Sequence, residues 1–188
     1  MRRGLIGFAL AIVTTGPALA ENAAPLVTPL QDTDITYDIQ APDGHVLHQR
    51  MRWRSATWQQ RIDPGDSATV MLTDYRAGRL QVVDLLHRTV TTMDVPLAQF
   101  APPGVPAAGV WRKGNVEHVA GRDCTEWSGT DSEAQPGVFC YTTDGLLLGA
   151  SRSGVHVVQA ASIAQGPQAE AVFALPPGLK TLAPATPH

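Results

Sequence analysis

The residues best placed to do chemistry are two cysteines, Cys124 and Cys140, the only pair in the chain. They lie in the stretch GRDCTEWSGTDSEAQPGVFCYTTDGLLL, from Gly121 to Leu148. Two cysteines this far apart lack the close spacing of paired zinc ligands. Their chemistry is then a disulfide bond, worth about 3 kcal/mol for a loop of this size in the chain-entropy model. Two separate buried thiols are the alternative. The export signal described below favours the bond, because it sends the chain to an oxidising compartment.

The other reactive side chains do not assemble. His45 and His48 stand three apart, on opposite faces of a strand, and cannot share a metal. His87, His118 and His156 are isolated in sequence, and hydrogen-bonded or solvated histidine is the better reading than a site gathered from several strands. There is no Gly-x-Ser-x-Gly elbow and no glycine-rich phosphate loop. Asp131 and Glu133 read as a solvated pair in a hairpin loop. Arg50, Arg52, Arg54 and Arg61 read as partners in structural salt bridges rather than as a basic strip. The expectation is a non-enzyme with no catalytic residue, no metal and no cofactor.

Two strands joined by a polar loop, then a tight turn at Asp144-Gly145, must position the cysteines. With the cysteines directly opposed, Thr125 faces Phe139 and Trp127 lies over Gly137. Trp127, Phe139 and Tyr141 then share one face and the cysteines, Glu126 and Val138 the other. Upstream, Ile35, Tyr37 and Ile39 alternate with polar residues over Asp34–Gln40, and His45–Trp53 alternates likewise. Further strands are expected over Trp58–Ile62, Thr69–Asp74, Arg79–Asp84 and Thr89–Met93. Asp94 to Ala108 holds four prolines and reads as a connection crossing the sheet, with one short helical turn over Leu97–Ala101. Val110–Lys113 and Val116–Ala120 read as strands around a Gly114-Asn115 turn. Leu146–Arg152, Val155–Gln165 and Ala169–Leu175 complete the set, and Pro176–His188 should fray.

The first twenty residues, MRRGLIGFALAIVTTGPALA, read as a signal peptide. Arg2 and Arg3 precede an apolar core too short to span a bilayer, and Ala18-Leu19-Ala20 fits a cleavage site after Ala20. Their removal takes the formal charge from −3 to −5, which argues against nucleic acid or anionic membrane as partner. Charged residues are 16% of the chain, against the usual ~25%, while 44% are hydrophobic, enough for a sizeable core. The expected organisation is a signal peptide over 1–20, an extended leader over 21–33, one β domain over 34–182 and a disordered tail over 183–188. No second apolar run is long enough to cross a membrane.

VMLTDYRAGRLQVVDLLHRTVTTMD, VAGRDCTEW, CYTTDG and the closing FALPPGLKTL, in that order after a signal peptide, resemble uncharacterised secreted bacterial proteins of the domain-of-unknown-function kind. The resemblance covers about residues 32–182. It implies a fold similar to the periplasmic lipoprotein carriers: a mainly all-β, single curved antiparallel sheet or half-barrel with an apolar concave side. Here that means about ten strands and a short Pro-rich lid. It carries no functional residue over.

Trp53, Trp58, Trp111 and Trp127 fall in or beside expected strands, where they fill the core or line an apolar groove. The groove reading assigns ligand contact to Trp53, Trp58, Leu97, Phe100 and Trp111. The function expected is then a periplasmic protein holding a hydrophobic small molecule, lipid, acyl chain or hydrophobic peptide on the concave face. The alternative is an envelope protein-interaction or structural module with no pocket. The exported chain should begin at Glu21, which an intact mass lacking residues 1–20 verifies and one retaining them refutes.

Overall fold

The computed structural model describes residues 24–95, 97, 100–130 and 134–184. The expected signal peptide, the Asp131–Glu133 pair and the last four residues lie outside the described residues. Twelve strands form one open, curved, nearly all-β sheet. They are β1 (Thr33–Gln40), β2 (Val46–Arg54), β3 (Gln59–Pro64), β4 (Thr69–Asp74), β5 (Arg79–Asp84), β6 (Thr89–Asp94), β7 (Arg112–Val119), β8 (Arg122–Thr130), β9 (Pro136–Tyr141), β10 (Leu147–Arg152), β11 (Val155–Gln165) and β12 (Lys180–Leu182). Their spatial order is β12-β6-β5-β4-β3-β2-β1-β11-β10-β9-β8-β7. Thus β1 to β6 step outward hairpin by hairpin. The Pro-rich connection then carries the chain to the far edge, and β7 to β11 step back until β11 pairs with β1.

Register in β1–β6 is regular, so side-chain alternation divides this half cleanly into two faces. One face carries Ile35, Tyr37, Met51, Trp53, Ile62, Met71, Tyr75, Leu80, Val82 and Met93. The other carries Asp34, Arg50, Arg52, Arg61 and Asp63 near the middle of the sheet, then Val70, Leu72, Val83 and Val90 further out.

The first face is covered by the leader and the Pro-rich connection, which are tied to each other. Ala107 N–H donates to the Pro25 carbonyl at 2.8 Å and Thr28 Oγ1 to the Ala101 carbonyl at 2.6 Å. Beneath them Trp53, 2% exposed, donates its indole N–H to the Pro29 carbonyl at 2.8 Å. The core there holds Ile35, Tyr37, Met51, Leu146 and Leu148. A separate cluster of Trp111, Trp127, Phe139 and Ala150 packs against Ala24, Val27 and Ala107. The outer part of the second face is covered by the C-terminal segment. Phe173 is buried in a short 3-10 turn (Glu170–Phe173), and Leu179 packs on Val70, Leu72, Val83 and Val90.

Cys124 and Cys140 are bonded, with an S–S length of 2.08 Å and Cα atoms 5.4 Å apart. The hairpin register differs from the expected one by two residues. Cys140 faces Glu126, Trp127 faces Phe139, and Gly129 faces Gly137. A slip of two leaves every side chain on its expected face. It also moves the glycine vacancy: the ring lying over a glycine is Trp111, against Gly129, where a Cβ would sit 2.5 Å from Trp111 Cε3.

Three further expectations need correction. Gly114-Asn115 is an irregularity inside one strand, β7, and not a turn between two. Ala169–Leu175 makes a 3-10 turn because its apolar residues dock as single anchors instead of alternating along a ladder. The Pro-rich end does not simply fray: Lys180–Leu182 pairs parallel to β6, in an otherwise antiparallel sheet. Cys124→Ala should lower unfolding stability by about 2–5 kcal/mol in denaturant titration, as for native disulfides in small secreted domains.

Candidate functional site

The five residues assigned to ligand contact do not gather into one site. Trp53 is sealed under the leader. Trp111 is 8% exposed, donates to the Ala108 carbonyl at 2.9 Å, and meets Phe139 edge-on with ring centroids 5.8 Å apart. Both fill space within the fold. Trp58 and Phe100 do meet, at the outer end of the covered zone, and Leu97 joins them only through its carbonyl, which accepts from the Phe100 N–H at 3.0 Å. Phe100 stacks on Tyr75 at 4.2 Å and tilts against Trp58 at 5.8 Å, while Tyr75 touches Trp53 at 5.9 Å. Burial pushes the Tyr75 phenol above its ordinary pKa, and its O–H donates to Gln60 Oε1 at 2.9 Å, so the wall stays neutral. Arg76 sits 4.9 Å over the Trp58 ring, a cation–π contact worth about 0.5–1 kcal/mol near solvent.

Beyond this wall the described side chains are only partly covered, with Met71, Leu80 and Val82 half-buried. On the same face, Met71 pairs with Val82, Val82 with Thr91, Leu80 with Met93, and Thr91 with Leu182. Direct cross-strand neighbours have Cβ atoms about 4.5–5.5 Å apart, so Met71 adjoins Val82 and Leu80 adjoins Met93, with Leu182 on the far side of Thr91. Met93 is 38% exposed and Leu182 41%. Leu97, 43% exposed, lies against Gly78 at the β4–β5 turn. Sequence reasoning missed Met71, Leu80, Val82 and Met93 because strand alternation makes them look like buried core. The signal available was the shortness of the lid, which cannot reach past β4.

Polar candidates resolve into pairs. Arg50 binds Asp34 through two nitrogens, at 2.8 and 2.5 Å, Arg52 and Arg61 both hold Asp63, and Arg54 approaches Glu170 at 3.8 Å. His48, His87 and His118 each contact one aspartate, at 2.7–2.8 Å, His45 contacts Asp43, and His156 contacts Ser151. No group of three His, Cys, Asp or Glu that could hold a metal occurs among the described residues. A cleft of about 170 Å³ opens between β1, β2 and β11, lined by Asp38, Gln40, Val46 and His156 among others. None of the five assigned ligand residues lines it.

No protein-family model matches the sequence, and no curated protein matches it. Solved structures do. An uncharacterised conserved protein from Thermus thermophilus superposes with a TM-score of 0.60 at 8% identity, over 82% of this chain and 91% of that one. A crystal structure of MucB gives 0.54 at 14% identity, over 82% of this chain and 60% of that one. The MucA/MucB complex from Pseudomonas aeruginosa gives 0.52 at 17% identity, over 81% and 59%. The chain is thus similar in fold to MucB across roughly three-fifths of MucB's length. At such identities the likeness is one of fold. The expected kinship with lipoprotein carriers in particular draws no support from these neighbours.

Asp63 carries a pH prediction. Burial raises its pKa, but the hydrogen bonds from Arg61 and Arg52 outweigh burial, and the net shift is below the ordinary 3.8. A carboxylate depressed on folding adds stability that is full above its unfolded pKa and lost as pH falls through the folded one. Urea titrations should therefore show stability falling below about pH 4, and Asp63→Asn should flatten that part of the acid limb.

Proposed function

We propose that this chain is a non-enzymatic, exported protein-interaction module of the bacterial periplasm. It docks an apolar segment of an envelope protein on the open face of β4–β6. The observation that carries the reading is the contrast across one face of the sheet. Its inner part is sealed by leader and connection, while in the outer part Met93 and Leu182 are exposed and Met71, Leu80 and Val82 half-buried. Apolar patches left uncovered on a soluble domain mark interaction sites more often than chance. The disulfide suits an oxidising compartment. The MucB likeness supports the reading further, because MucB has been solved bound to MucA.

An apolar small molecule, lipid or acyl chain on the same face is the second reading, favoured by the aromatic wall itself. It has less support, because Trp53 and Trp111 are packed inside the protein and offer no ligand surface.

A photo-crosslinking residue in place of Val82, with Thr36 on the opposite face as control, separates the two in cells of the native host. Protein adducts at 82 and none at 36 are expected. Met93→Glu together with Leu97→Glu should abolish the adducts while leaving stability within about 0.5 kcal/mol, as for most surface substitutions. Lipid adducts at 82 without protein adducts would make the small-ligand reading the better one.

A further inference from the structure

We infer that the outer edge of β6, with the apolar seat under Leu179, is a strand-docking site occupied by the chain's own C-terminal strap, and that it accepts from a partner an extended aliphatic segment running parallel to β6. The inference does not rest on the open face of β4–β6. It concerns the edge of the sheet and its opposite face.

Three observations carry it. The strap's strand, β12, is three residues long and exposed at every one of them. It pairs in parallel, Lys180 with Thr89, Thr181 with Val90 and Leu182 with Thr91, a geometry slightly weaker per residue than antiparallel pairing. Its fastening is sparse: Leu179 on the Val70, Leu72, Val83, Val90 cluster, the Lys180 N–H to the Arg88 carbonyl at 2.9 Å, and Arg88 Nη2 to the Pro177 carbonyl at 2.8 Å. A short edge element held by one aliphatic anchor opens at far lower cost than the strands beneath it.

Opening it would bare a row of unpaired backbone groups on β6 and four aliphatic side chains at once. That combination is what strand addition uses: the ladder supplies affinity and the side-chain seat supplies selectivity. The resident strap defines what fits. The first residue must be aliphatic, to fill the seat of Leu179. The second must carry a backbone N–H for the Arg88 carbonyl, which excludes proline. The third, in the place of Thr181, lies beside Val90 on the covered face and suits a small or β-branched side chain. Gly178 has φ +73°, a backbone conformation that L side chains rarely adopt, so the approach to the seat favours glycine.

The probe is a fluorescent peptide of residues 174–184, ALPPGLKTLAP, titrated into the full chain and into its Leu179→Asp variant. The variant's strap no longer competes for the seat, so it should bind the peptide at least tenfold more tightly. A peptide with proline in place of Lys180 should bind neither chain. Hydrogen exchange on the unaltered chain guards against a variant that fails to fold: the Lys180 amide should exchange at least a hundredfold faster than amides of β4 and β5. Equal peptide affinity for both chains, or a Lys180 amide as protected as those of β4, overturns the inference. A variant that dimerises by exchanging straps also overturns it, by making a second copy the occupant.

Discussion

The constraint on which this structure depends is coverage. A sheet of twelve strands has two broad faces, and among the described residues the chain supplies no long helix to cover either. Three solutions share the surface. Extended, proline-rich segments cover the middle of one face. The C-terminal strap covers the outer apolar part of the other. On the second face of β1–β3 the sheet carries paired charges, Asp34 with Arg50 and Asp63 between Arg52 and Arg61, and the C-terminal segment is tied to them where the Val172 carbonyl accepts from Arg61 Nη1 at 2.9 Å. Extended covers make few hydrogen bonds of their own, so they are fixed by side chains from below. Trp53 to the Pro29 carbonyl is the clearest case, joining an apolar ring of the core to the backbone of its lid.

Much of this was legible in the sequence. Alternation and turn signals together located eleven of the twelve strands at least in part. The disulfide followed from export and spacing. The Asp144-Gly145 turn followed from turn chemistry, although its glycine has a second reason: a Cβ on Gly145 would meet the Thr28 carbonyl at 2.4 Å, so the leader lies directly on the turn. What failed were long-range choices. The β8–β9 register could slip by two without moving any residue to the wrong face, so alternation could not fix it. β12 was invisible because three exposed residues after two prolines carry no pattern, and its pairing with β6 spans about half the chain.

The site was less legible for a related reason. Composition reveals that a residue is apolar, not whether a cover reaches it. Trp53 and Trp111 could be read from the sequence as core or as ligand contacts, and both lie buried. Met71, Leu80, Val82 and Met93 looked like packing and are partly open. The difference is set by where the Pro-rich connection stops. Val95 N–H donates to the Gly78 carbonyl at 2.9 Å, and Phe100 N–H to the Leu97 carbonyl at 3.0 Å, so the connection turns inward over Tyr75 as soon as it leaves β6. Beyond Tyr75 on that face Met93 is 38% exposed, while Met71, Leu80 and Val82 are half-buried.

The two edges of the sheet complete the argument. An open sheet must protect both edges from adventitious pairing. β7 does so by construction: its ladder is irregular between Lys113 and Val116, and Arg112, Lys113 and Glu117 line it with charge of both signs. β6 has no such device. Its residues are Thr89, Val90, Thr91, Thr92, Met93 and Asp94, a good strand former with one charge at its end. It is closed instead by the chain's own tail, through three exposed residues and one leucine. A protection written into a strand's own sequence is permanent, whereas one supplied by a separate segment lasts only while that segment stays. Among the described residues, the tail segment that closes this edge and the exposed Met93 side chain therefore meet at β6.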